Sequence, residues 1–222
     1  MTSPTVAVRG SSSREVAPEI AEFTVTVQAR DKDRATTLTR LTERVAAVRA
    51  ILDGYAAAIE KRETSRLSVY AQSKRSGEKV SAYVGAASTS VTVTDLDVVG
   101  EMMLRVADQD QVMVNGPYWS VRPASPVYRD ARHAAIADAV TRAKEYAEAL
   151  GARVTGLVEL TDVGMSGATP PGRPMFARAM SLAGGAPQQP ELDLDPAQQQ
   201  ITAEIEGRFT ISEPTILADP LD

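Results

Sequence analysis

Alanines spaced four residues apart constrain this chain more than any other feature. Ala131, Ala135, Ala139 and Ala143, continued by Tyr146 and Leu150, recur at three- and four-residue spacing and predict one stripe of a helix. The punctuation agrees. Ser125 is a natural N-cap and Pro126 falls at the first helical position, where a missing N–H costs nothing. Gly151 offers the left-handed residue that ends such helices. Alanine buries little area per turn, so this helix must gain its stability by lying very close to a sheet or another helix.

The rest of the chain predicts what it lies against. Val6 and Val8 open a short strand that is expected to stop at Gly10, and 22–28 alternates Phe23, Val25 and Val27 with polar residues, as a half-buried strand does. A helix with the stripe Leu38, Leu41, Val45, Val48 and Leu52 follows and is expected to end at Gly54. Residues 66–73 and 80–94, joined through Arg75-Ser76-Gly77-Glu78, predict a hairpin. Thr94-Asp95-Leu96-Asp97 starts a shorter helix with Leu96, Val99, Met103 and Val106 on its buried side. A strand at 112–121 is broken by Asn115-Gly116-Pro117, where a bulge is expected. After the alanine helix, 154–163 predicts another strand. The last strand is the cleanest, with Ile201, Ala203, Ile205, Phe209 and Ile211 opposite Thr202, Glu204, Glu206, Arg208 and Thr210.

The order β-β-α-β-β-α-β-α-β-β lacks regular β-α-β alternation. It predicts an α+β fold of antiparallel sheets, with two long helices and one shorter helix packed on one face. A chain of 222 residues suffices for a single domain, expected over 1–212, that buries roughly 70% of its unfolded surface. Residues 164–197 form a Gly/Pro-rich loop within it, and 213–222 a polar tail. Such a long loop is usually functional, partner-bound or disordered, and its apolar side chains Met165, Met175, Phe176, Met180 and Leu182, with Arg178, make it a candidate interaction loop.

Little in the composition points to chemistry. A net charge of −5 argues against a generic nucleic-acid or anionic-membrane binder. The absence of cysteine removes disulfides, thiolate metal sites and thiol nucleophiles together. The single histidine, His133, sits on the alanine helix beside Asp130 and Asp138, without a serine elbow, and reads as a surface or boundary residue. Gly164-Met165-Ser166-Gly167 lacks the lysine and following helix of a phosphate loop. Glu191, Asp193 and Asp195 alternate as solvated loop carboxylates and lack the glycine and closing glutamate of a calcium loop. The cations Arg62, Arg66, Lys74, Arg75 and Lys79 are interrupted by Glu60, Glu63 and Glu78, as on a solvated hairpin. No catalytic residue, cofactor or metal site is therefore expected. The opening MTSPTVAVRG has no basic stretch before an apolar core, and no segment reaches the roughly 20 apolar residues of a membrane-crossing helix. A cytoplasmic protein without a membrane span is expected.

Several stretches, in order, resemble the SIMPL-domain family. They are Val8-Arg9-Gly10-Ser11, Val16-Ala17-Pro18-Glu19-Ile20-Ala21, Ser65-Arg66-Leu67-Ser68-Val69-Tyr70, the Ser/Thr-alternating strand before Thr94-Asp95-Leu96, and Val127-Tyr128-Arg129-Asp130-Ala131-Arg132 through Ala149-Leu150-Gly151. The resemblance runs from about residue 4 to 212 and implies an α+β domain. Some members form large ring- or channel-like oligomers, many are exported, and some are linked to stress tolerance or immune recognition. The family name derives from a signalling protein that binds a kinase. The resemblance implies no enzymatic activity, cofactor or catalytic residue.

The leading expectation is a non-enzymatic, self-associating scaffold or interaction protein, a homo-oligomer with a link to stress response. One alternative is a small-molecule binding protein or cryptic enzyme, with an anionic ligand held under loop 164–197 by Arg173, Arg178 and His133. A second is an adaptor for another protein.

Overall fold

The computed structural model describes residues 3–73, 80–166 and 194–216, the side chains of 164–166 excepted. Its elements are β1 (Thr5–Val16), β2 (Ile20–Asp31), α1 (Arg34–Asp53), β3 (Ile59–Ser73), β4 (Val80–Val93), a 3₁₀ turn (Leu96–Val98), α2 (Val99–Ala107), β5 (Val112–Ser120), α3 (Pro126–Ala149), β6 (Val154–Ser166) and β7 (Gln199–Ile211). This is the expected order, and it makes an α+β fold with two antiparallel sheets. The described residues gather into two compact units. An inserted unit holds those of 18–121 with 194–197; a terminal unit holds the rest, from both ends of the sequence.

The inserted unit is a four-stranded sheet in the order β3-β4-β2-β5, carrying α1 and α2 on one face. Its core is built from large side chains: Phe23 and Val25 on β2, Val91 and Val93 on β4, Leu52 on α1, and Met102 and Val106 on α2. α1 begins where Asp33 accepts a 2.8 Å hydrogen bond from the Thr36 N–H. Its buried stripe is Thr37, Leu41, Val48 and Leu52, with Val45 half-buried, whereas Leu38 turns outward at 41% exposure. Thr37 replaces Leu38 because its hydroxyl donates to the Asp33 carbonyl at 2.8 Å, so a polar side chain enters the core already satisfied. The helix ends at Gly54 as expected, but with φ of −63° rather than a left-handed turn. The β3–β4 hairpin pairs as the sequence indicated, and its turn at 75–78 lies outside the described residues. β3 starts earlier than expected, at Ile59. In β5, the register against β2 shifts between Glu22 and Thr24, opposite Asn115-Gly116-Pro117. Gly116 has φ of +131°, and a Cβ there would stand 2.8 Å from that of Phe23, so the bulge accepts only glycine.

The terminal unit is a three-stranded sheet in the order β1-β7-β6, with α3 on one face. β7 alternates as its sequence indicates, with Ile201, Ala203, Ile205, Phe209 and Ile211 buried. β1 does not stop at Gly10; it pairs with β7 from Thr5 to Val16. A Cβ on Gly10 would lie 2.1 Å from the Ala135 carbonyl and 2.7 Å from the Ala139 Cβ. Gly10 thus lets α3 approach the sheet and does not terminate the strand. The Ser125 hydroxyl accepts from the Val127 N–H, and Gly151 takes φ of +65°. The buried stripe is Ala131, Ala135, Ala139, Ala143 and Ala147. Tyr146, expected in the stripe, is 59% exposed, because a strict four-residue spacing leads from Ala143 to Ala147.

Candidate functional site

The two edges of the three-stranded sheet are built differently. α3 packs on β1 and β7 and hardly touches β6. Along β6, Leu157 (57%), Val158, Leu160 and Val163 are all exposed, an unusual density of large apolar side chains for one strand. Register places Leu157 beside Phe209 and Leu160 beside Gly207, on the face that α3 covers elsewhere, whereas Glu159 beside Arg208 and Thr161 beside Glu206 belong to the opposite face. The register slips between Val154 and Gly156, Leu157 and Glu159, and Asp162 and Gly164. Such slips twist an edge strand without hiding its side chains.

β1 forms the other edge, and α3 leans over it. Asp138 of α3 accepts a hydrogen bond from the Ser11 N–H at 2.9 Å and another from the Arg142 guanidinium at 3.0 Å. Toward the start of the strand, a groove of about 240 Å³ opens between β1 and the flank of α3, lined by Val6, Ala7, Val8, Arg9, Arg142 and Tyr146. On the opposite face of the sheet, Arg9 bonds Glu206 at 2.8 Å, with Glu204 3.8 Å away. The hydrogen bond to Glu206, and then the charges of both glutamates, hold the Arg9 guanidinium above its ordinary pKa. A second shallow hollow of about 300 Å³ lies there, floored by Arg9, Glu206, Arg208 and Glu159. Its lining charges are of both signs and open to solvent.

The sequence-predicted interaction residues fall elsewhere. Met165 belongs to β6, but its side chain lies outside the described residues, as do Met175, Phe176, Arg178, Met180 and Leu182 altogether. Arg173, Glu191 and Asp193 lie outside them too. His133 is exposed on α3; Asp138 is engaged by Ser11 and Arg142, and Asp130 has Arg129 at 3.6 Å. Of the cations near the first hairpin, Arg62 pairs with Asp53 at 2.8 Å. Among the described residues no three His, Cys, Asp or Glu gather to hold a metal ion, and no helix is long and apolar enough to cross a membrane. Sequence reasoning missed Leu157, Val158, Leu160, Val163 and Tyr146 as surface residues. The sequence predicts a strand over 154–163, but which of its apolar side chains stay in solvent depends on the reach of α3.

Fold and surface together define an α+β protein of two antiparallel sheets whose conspicuous surface features are strand edges. The chain belongs to the SIMPL family, described as a protein of unknown function (DUF541), whose profile matches residues 6–209. No curated protein matches it.

Proposed function

We propose that this protein is a non-enzymatic interaction domain that associates with copies of itself through its sheet edges. The observation that carries this reading is β6, a strand at a sheet edge with four large apolar side chains in solvent. Edge strands also present unpaired N–H and C=O groups. β6 carries two of the devices that ordinarily blunt such an edge, register slips and the charges of Glu159 and Asp162, so its apolar side chains are what it chiefly offers a partner. β3, one edge of the other sheet, exposes Leu67 and Tyr70 in the same way.

Magnitudes limit what apolar burial can do alone. Complete burial of a large apolar side chain contributes ~1.5–3 kcal/mol, so covering four half-exposed ones gives roughly 3–6 kcal/mol. That only reaches the low end of the ~4–15 kcal/mol lost in translation and rotation on association. Edge hydrogen bonds and flanking contacts must supply the rest, and the assembly should respond to dilution.

The test is light scattering behind size exclusion over a dilution series. A discrete multiple of the 23.7 kDa chain is expected at high concentration. A 23.7 kDa species at every concentration overturns the reading.

A further inference from the structure

We infer that the self-association just proposed, on which this inference rests, is head-to-tail: β6 of one copy adds beside β1 of the next. The displaced position of α3 is the central observation. It leans past β1, where Asp138 caps the Ser11 N–H, and leaves β6 uncovered at the far side of the same sheet. What β6 lacks is a helix over Leu157 and Leu160. What the β1 edge offers is the flank of such a helix, with exposed Tyr146 above a groove floored by Val6 and Val8. A second copy set against β1 brings its Leu157 and Leu160 under that flank, on the face that α3 covers.

The β1 backbone is ready for this pairing. Because the Ser11 N–H points away from β7, the two-residue alternation of a strand turns the N–H and C=O of Ala7 and Arg9 to the same free side. The Asp138 cap closes the edge at Ser11, so pairing is confined to the segment that borders the groove. β1 and β6 are both antiparallel to β7, hence parallel to each other. A copy that continues the sheet in the same sense therefore makes a parallel β1–β6 pair.

Charge selects this arrangement over the two symmetric ones. β6 carries Glu159 and Asp162 and no cation, while the open segment of β1, before Ser11, carries Arg9 and no carboxylate, and its groove adds Arg142. Pairing β6 with β6 would gather four carboxylates at one seam, and pairing β1 with β1 would gather arginines; only the mixed seam sets opposite signs together. Arg9 and Arg142 already have partners within the chain, so the effect discriminates between arrangements more than it strengthens the seam. A heterologous contact of this kind closes into a ring or continues as a filament.

Complementation between blocked chains tests the inference. Tyr146→Asp spoils only the β1-side groove, and the double variant Leu157→Asp/Leu160→Asp spoils only β6; all three side chains are exposed, so the fold is kept. Each blocked chain alone should run at 23.7 kDa where the unmodified chain is larger, and their mixture should run at twice that mass. The chain has no cysteine, so Ala7→Cys and Thr161→Cys chains joined by a short thiol cross-linker give a second readout. Cross-linked dimer should form in the mixture and in neither sample alone. Cross-linking of the Thr161→Cys chain with itself would overturn the inference in favour of a symmetric β6 seam. A multimeric parent unaffected by either block would overturn head-to-tail pairing and leave self-association standing. A parent that is monomeric throughout would overturn both.

Discussion

The two units cover their sheets by opposite means. In the inserted unit, Phe23, Leu52, Met102 and Val106 form a thick apolar layer, and two helices spread it over β2, β4 and β5. In the terminal unit, five alanines and Gly10 bring a single helix almost into contact with the strand backbone. A helix is about 10 Å wide and strands lie about 4.8 Å apart, so one closely seated helix shields about two strands. The third, β6, is left bare. Close packing gives density and gives up reach, and the exposed edge on which function is proposed to rest follows from that exchange.

This contrast can be broken at its thick end first. Phe23→Ala empties a fully buried aromatic site in the inserted unit and should cost ~3–5 kcal/mol, seen as a lower urea midpoint with faster amide exchange in β2, β4 and β5. A cost under ~1 kcal/mol would mean that the layer collapses to refill the space. At the thin end, Gly10→Ala adds one methyl where a backbone oxygen stands 2.1 Å away. The expected cost is at the upper part of the ~1–3 kcal/mol range for overpacking, with exchange accelerated in β1 and α3. A neutral result would show that α3 can retreat and that close seating is not what holds the unit.

The smallest effect sharpens the contrast at a helix start. The Thr36 N–H, and then its hydroxyl, hold the Asp33 carboxyl below its ordinary pKa. A depressed acid contributes stability above its unfolded value, about 3.9, and loses that contribution as pH falls through the lower folded value. The melting-temperature advantage over Asp33→Asn should therefore hold steady near neutrality and shrink below about pH 4. α3 starts from uncharged Ser125, so Ser125→Ala should lower the melting temperature by an amount that does not change over that window. An Asp33 advantage that is flat with pH would remove the charge from the capping account.

The element order was legible because the strongest signals are local. β7 alternates without a break, and Ser125-Pro126 marks the start of α3. What stayed hidden depends on three-dimensional neighbours. Gly10 looks like a stop until the carbonyl of Ala135 is known to sit over it. Thr37 looks less buried than Leu38 until its hydroxyl is seen returning to the Asp33 carbonyl. Tyr146 looks like core because a large apolar ring sits near the stripe's spacing, and only the depth of α3 decides that alanine alone fits. For the candidate surface, composition drew attention to the Met- and Phe-bearing segment 165–182, most of which lies outside the described residues, while the apolar run just before it forms the exposed edge.

The pairing of β1 with β7 also bears on how the chain is made. Thr5 meets Thr210, a partner about 200 residues later, and among the described residues no other strand flanks β1 in the sheet. At a synthesis rate of ~5–20 residues per second, β1 waits roughly 10–40 s for its mate. Every strand of the inserted unit has by then left the ribosome, and its pairs close over shorter stretches of chain. The residues of β1 are thus made before the inserted unit and secured after it.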